Sequence, residues 1–265
     1  MTAVAFAAVT LAITFGCALI GTRIREKLPP EHVSKESQDV IRLGMGLVAT
    51  MTALLLGLVT AAAKGSFDST DTAVKNAAAG TLTLDRLLAR YGPETKPSRD
   101  LLRRAVALRL ETLWPETRGT TSGEPSAAPV DFDISPEQLQ GTSLGEQVED
   151  LILDLSPQND RQRWLKGEAL KLTEEVLKTR WRLLSSAGGS VSRAFLFVVI
   201  FWLGTTFGSF GLSAPRNGTV RTVLFISALS VAAAVFLILE LDGAFDGLIK
   251  ISSGPLQYAL ANLGR

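Results

Sequence analysis

The run LGMGLVATMTALLLGLVTAAA, Leu43–Ala63, carries no charged residue, and KGSFDSTDTAVKNAAAGTLTLDRLLARY, Lys64–Tyr91, follows it with no proline. A helix rises 1.5 Å per residue, so about 20 apolar residues cross a hydrocarbon core of about 30 Å. Leu43–Ala63 therefore reads as a membrane span. Beyond it, Lys64-Gly65-Ser66 is a weak interruption, and Val74, Ala77, Leu84, Leu88 and Tyr91 recur at helical spacing. The pattern predicts one long helix that leaves the membrane and stops at Tyr91-Gly92-Pro93.

Working outward, Ala3–Gly21, Ala194–Leu212 and Thr222–Leu239 are likewise uncharged. The fold class that follows is an all-α membrane protein. Four transmembrane helices form two hairpins, and a helical extramembrane domain is formed by extensions of the second and third spans. The first hairpin occupies residues 1–63, with spans at about 3–21 and 43–63. Residues 64–192 form the helical domain, in which the Gly-, Ser-, Thr- and Pro-rich segment 116–140 reads as a flexible excursion. The second hairpin covers 193–241, with spans at about 194–212 and 220–240, and the tail 242–265 is interfacial or re-entrant.

Local signals place further helices. Leu28-Pro29-Pro30 breaks the first helix and Ser34 caps the next. Pro97 and Ser98 open a helix with Leu101, Ala105, Leu108 and Thr112 on one face and Leu102, Val106 and Leu113 beside it, ending at Trp114-Pro115. Ser143 to Glu146 has capping-box spacing and starts a short helix through Val148, Leu151, Ile152 and Leu155. A long helix over 158–185 then leads through Gly188-Gly189, a hinge signal, to the third span. Trp164 and Trp181 on it read as packing or interface anchors.

Charge sets the orientation. Arg23, Arg25, Lys27, Lys35, Arg42, Arg216 and Arg221 flank the two short connections and mark that side as cytoplasmic. Lys178, Arg180, Arg182 and Arg193 oppose this from the approach to the third span. The larger set places the central domain outside the cytoplasm, in a multi-pass membrane protein. No basic n-region precedes the first span, so it reads as an anchor and not as a cleaved signal.

The chain has 27 basic and 26 acidic residues, a formal net charge of +1, which does not suit a nucleic-acid partner. Cys17 is the one cysteine, so an intrachain disulfide and a cysteine zinc site are excluded, and Thr14 three positions before it spoils a lipobox. The single histidine, His32, has no Cys or second His to share a metal. It reads as a helix-entry residue or as a pH-responsive elbow. No nucleophile motif, phosphate loop or dinucleotide fingerprint occurs, so no enzyme, cofactor or metal is expected.

Two groups of residues carry the functional reading. Gly44, Gly46 and Gly57 in the second span and Gly204, Gly208 and Gly211 in the third are small residues for close helix packing, those of the second span alternatively a pore lining. Glu240, Asp242 and Asp246 end the fourth span; carboxylates there either sit at the water interface, capping or pairing locally, or form a cation-attracting vestibule on an ion path.

Several strings resemble a bacterial four-span membrane family called bestrophin-like: Pro30-Glu31-His32-Val33-Ser34, Ser66-Phe67-Asp68, the run LSPQND at 155–160, Arg180-Trp181, FGSFGL at 207–212, APRN at 214–217 and the tail 245–256. The resemblance spans almost the whole chain and implies a homo-oligomeric channel in the lipid bilayer that carries small ions. Bestrophins proper are calcium-gated anion channels with aromatic rings narrowing the pore and an acidic cluster holding the ion. Here the second span has no Phe, Tyr or Trp, and there is no acidic cluster of EF-hand type. The rival reading is a membrane-anchored sensor or scaffold whose helical domain binds a partner.

Overall fold

The computed structural model describes residues 3–29, 35–116, 144–186, 193–215, 217–245 and 247–264. The elbow with His32 and Ser34, the excursion from residue 117 onward, Gly188-Gly189 and Asp246 lie outside the described residues. Among the described residues the regular structure is helical: α1 (Ala3–Lys27), α2 (Lys35–Tyr91), α3 (Lys96–Leu113), α4 (Leu144–Leu153), α5 (Asp160–Ser186), α6 (Arg193–Ser213), α7 (Gly218–Asp242) and α8 (Gly254–Asn262). Four of these are long and apolar enough to cross a membrane: Ala3–Lys27, Gln38–Tyr91, Ala194–Ser213 and Gly218–Asp242.

The second span does continue as one helix, through 57 residues from Lys35 to Tyr91. It stops where Gly92 takes a φ of +151°, a conformation that suits glycine, and Pro93 opens a short 3₁₀ turn. The buried Thr95 hydroxyl closes this end by donating to the carbonyls of Leu88 and Gly92, at 2.7 and 2.8 Å.

The chain divides into two compact units. The first comprises Met1–Asp68 and Gly189–Lys250, and the second Ser69–Gly188 and Ile251–Arg265. Within the first unit, α1 seats on α6 and α7. Leu196 and Ile200 of α6 cluster with Val235 of α7, and Phe207 of α6 with Ala18 of α1 and Ala228 of α7. Helix α2 joins through Leu56, Val59 and Ala63 against Ile238 and Leu241. Asn217 caps α7, its side chain accepting the Val220 N–H at 2.9 Å.

Within the second unit, α2 buries Val74, Ala77, Leu84, Leu88 and Tyr91. Helix α3 turns Leu102, Val106 and Leu110 inward, whereas Leu101, Ala105 and Leu108 are half-buried and Thr112 is exposed. Of the two neighbouring stripes predicted for this helix, the Leu102 and Val106 side lies deeper, and a polar contact accompanies this roll. Arg99 at the start of α3 donates from Nε and Nη2 to the two oxygens of Asp85 on α2, at 2.7 and 3.1 Å. Asp85 is fully buried, and it also accepts the Gly264 N–H at 3.3 Å.

The tail's apolar side is taken by protein. Leu256, Ala259 and Leu263 are buried, α8 packs against α3, and the buried Trp114 indole donates to the Ile251 carbonyl at 2.8 Å. Trp164, by contrast, is 62% exposed.

Removing one partner of a buried ion pair leaves an uncompensated group, commonly at a cost of about 3–5 kcal/mol. Arg99 is partly exposed and can turn to water, so Asp85→Ala should lie near the low end, about 3 kcal/mol, in thermal or denaturant unfolding of the purified protein. Tyr91 gives the opposite expectation. Its hydroxyl is buried without a partner among the described residues, so Tyr91→Phe should be neutral or stabilising by about 1 kcal/mol. Burial, and after it the Glu94 carboxylate, holds the phenol above its ordinary pKa of 10.0. The folded state therefore keeps its proton where the unfolded state loses it. Stability should fall as pH rises beyond the ordinary phenol value, less so in Tyr91→Phe.

Candidate functional site

Helix α2 turns only a narrow stripe towards the first unit. Thr52 and Ala63 are buried on it, with Leu56 and Val59 half-buried beside them. Successive residues turn by about 100°, so the open circumference carries two adjacent stripes. One consists of large apolar residues: Leu43, Leu47, Met51, Leu54 and Leu58. The other consists of small ones: Gly46, Thr50, Ala53, Gly57 and Ala61. Every residue of both stripes is exposed.

Among the described residues Gly44, Gly46 and Gly57 accordingly pack against no neighbour; a Cβ on any of them would meet nothing within 4 Å. The sequence reading treats them as span packing, but the packed stripe runs through Thr52, Leu56, Val59 and Ala63. Gly46 and Gly57 lie roughly a third of a turn from it.

The glycines of α6 are placed differently, since they face α1. A Cβ on Gly211 would overlap the Ala18 carbonyl, and one on Gly21 of α1 would overlap the Gly208 carbonyl. Gly204 and Gly208 sit against Cys17 with room for ordinary contact, at 3.4 and 3.7 Å. The α1 side of this seam, Thr10, Thr14, Ala18, Gly21 and Thr22, is buried throughout and was not singled out from the sequence. Its signal is a recurrence of small residues four apart. The Thr10 and Thr14 hydroxyls donate to the carbonyls of Phe6 and Thr10, at 2.9 and 2.8 Å, so the seam contains no unsatisfied hydroxyl from these two residues. Arg25 at the end of α1 reaches the Ala214 carbonyl at 2.7 Å and ties α1 to the α6–α7 turn.

At the far end of α7 the structure separates the three candidate acids. Glu240 is only 7% exposed, and its Oε2 accepts the N–H groups of Leu248 and Ile249, at 2.6 and 3.3 Å. Gly247, at φ +101°, lies so close that a Cβ there would overlap the Glu240 carboxylate. Asp242 ends α7 half-exposed, and Asp246 is outside the described residues. A carboxylate that accepts two amides of the following loop is placed to hold that loop.

Outside the apolar part of α2, Leu82, Thr83, Arg86, Leu87 and Arg90 line a shallow groove of about 240 Å³. Its two arginines are one helical turn apart and make this surface electropositive. Among the described residues no group of three or more His, Cys, Asp or Glu side chains is placed to hold a metal ion.

A family model described as Bestrophin-like domain matches residues 12–256. The chain is similar to crystal structures of point variants of a bacterial bestrophin homologue from Klebsiella pneumoniae. One shares 17% identity with a TM-score of 0.63, another 16% with 0.62, each covering 97% of both chains. A crystal structure described as that of a membrane protein variant matches with 15% identity, a TM-score of 0.61 and 97% of both chains covered. The shared fold runs end to end. Among curated proteins none matches the sequence. With four apolar helices of spanning length, the match describes a multi-pass membrane protein.

The two sets of glycines should respond oppositely to alanine. Gly211→Ala or Gly21→Ala forces backbones apart and should destabilise by about 1–3 kcal/mol. Gly44→Ala should leave the single chain unharmed, since there the helix gains up to about 1 kcal/mol of propensity. Thermal unfolding in detergent checks this, and equal losses at both sets would contradict the seam.

Proposed function

Because the chain belongs to the bestrophin-like family, we propose that it is a homo-oligomeric ion channel whose copies turn the open face of α2 towards a common axis. The observation that carries this is the pair of stripes on α2. A helix side that meets only lipid has no need of a continuous small-residue stripe; from Phe195 onward the exposed positions of α6 are bulky, and α7 intersperses Ser227, Ser230 and Ala233 with Phe225, Ile226 and Leu229. The α2 stripe of Gly46, Thr50, Ala53, Gly57 and Ala61 suits a close neighbour or a column of water and ions. Its leucine stripe supplies dispersion contacts to the adjoining copy. Within one copy α1 packs against α6 and α7, so this reading places the path between copies.

In this reading the hairpins 1–63 and 193–241 form the membrane body and residues 64–192 a vestibule outside the cytoplasm, with the basic connections inside an inner membrane. Asp242 is the acid left to act on passing ions, while Glu240 positions the loop after α7. A sensor or scaffold role draws its support from the exposed Trp164 and Leu153, which offer a partner apolar surface on the helical unit.

Flux into liposomes from purified protein tests conduction, and no flux above empty vesicles at either sign of voltage would end the channel reading. In a Cys17→Ala background, a charged thiol reagent should reduce flux to near background through Thr50→Cys and leave the buried Thr52→Cys untouched. Asp242→Asn should change the cation/anion permeability ratio. For orientation, an impermeant label applied to intact cells should reach Ser122→Cys, and failure would place the domain in the cytoplasm.

A further inference from the structure

We infer that the chain between Glu240 and α8 is a strap fixed at two points, and that the Glu240 carboxylate is its latch. The first point lies within the first unit. Glu240 takes the N–H groups of Leu248 and Ile249 on one oxygen, the Ile249 side chain packs with Ala63, Ile238 and Leu241, and Gly247 adopts φ +101° to pass beside the carboxylate. The second lies within the second unit, where the Trp114 indole holds the Ile251 carbonyl and α8 follows at Gly254 with Leu256 and Ala259 buried. Between the fixed residues stands Lys250 alone.

A chain spans at most about 3.3–3.6 Å per residue, so the path from Ile249 to Ile251 can lengthen to no more than about 7 Å. A displacement of the last turn of α7 by more than a few ångströms must either pull on α8 or break a fixing point. The latch is costly to build. A carboxylate buried at the end of a span gives up hydration, and two backbone donors repay part of that only while the loop stays closed. Leu248, 80% exposed between two held residues, shows that the clasp holds the backbone without burying this side chain. The device thus makes the end of α7 and the docked α8 move together, with Glu240 as a positioning residue.

Hydrogen exchange of the full chain in detergent or nanodiscs, read by mass spectrometry, tests it. Glu240→Leu should raise exchange over 247–250 by roughly tenfold or more, the ratio expected from losing a hydrogen bond to a charged group. The increase should extend to 254–262 while α1, α6 and the α2 peptides over 70–85 keep their protection. Gly247→Ala, which leaves Glu240 chemically intact and crowds it, should do the same. Trp114→Phe should act in reverse, speeding 254–262 and reaching back to 247–250. If Glu240→Leu yields no folded protein, Glu240→Gln keeps an acceptor at the same length and should give a smaller effect over the same two segments. An effect of Glu240→Leu, or of Glu240→Gln in its place, confined to 247–250 would reduce Glu240 to a local loop staple and overturn the strap.

Discussion

The structure depends on how little of the membrane-spanning part of α2 is buried. A helix inside hydrocarbon satisfies its own backbone hydrogen bonds and needs no partner to be stable there. Association between spans must come from dispersion and from closeness of approach, because lipid is as apolar as the side chains. Within the span, and among the described residues, helix α2 commits only the Thr52, Leu56, Val59 and Ala63 stripe to its own chain. The first unit therefore draws its closest helix approach from elsewhere, at the α1–α6 seam. There backbone meets backbone at Gly21 and Gly211, where any Cβ would collide with a carbonyl.

Outside the membrane the rules change and so does the packing. The second unit buries branched and aromatic groups in water-driven contacts, with Leu84, Leu88, Tyr91, Leu102 and Ile152 among its inner residues. Its polar interactions decide geometry more than energy. The hydrogen bond from Arg99 to Asp85 keeps the guanidinium charged against its burial, and the same carboxylate receives the backbone near the chain's end. One acid thus fixes α2, α3 and Gly264, two residues beyond α8, relative to one another.

What the sequence made legible follows from which physics is local. Span positions and the Gly92-Pro93 stop depend on composition within a window, and the positions Val74 to Tyr91 depend on a 3.6-residue period. All are visible in one dimension. The roll of α3 was not, because Leu101, Ala105 and Leu108 and Leu102, Val106 and Leu110 form two stripes of similar hydrophobicity. The choice between them is accompanied by Arg99 finding an acid fourteen residues earlier. The α1 side of the seam escaped because hydropathy measures transfer to lipid and not size. Glu240 looked like an interfacial or ion-path acid because its partners are backbone amides, which leave no mark in a sequence.

Glycine usage shows the limit of that reading and also its yield. The same residue type recurs in the membrane part of α2 and in α6, yet among these spans' described residues it is in α6, and at Gly21 of α1, that a neighbour fills the place of the missing side chain. Gly204, Gly208 and Gly211 face Cys17, Ala18 and nearby backbone, whereas Gly44, Gly46 and Gly57 face open space. A glycine inside a helix costs about 1 kcal/mol relative to alanine. In α6 contact with α1 offsets that cost within one chain. At Gly44, Gly46 and Gly57 nothing among the described residues does so, and the offset has to come from whatever meets that face, which in the channel reading is another copy of α2 or the path between them.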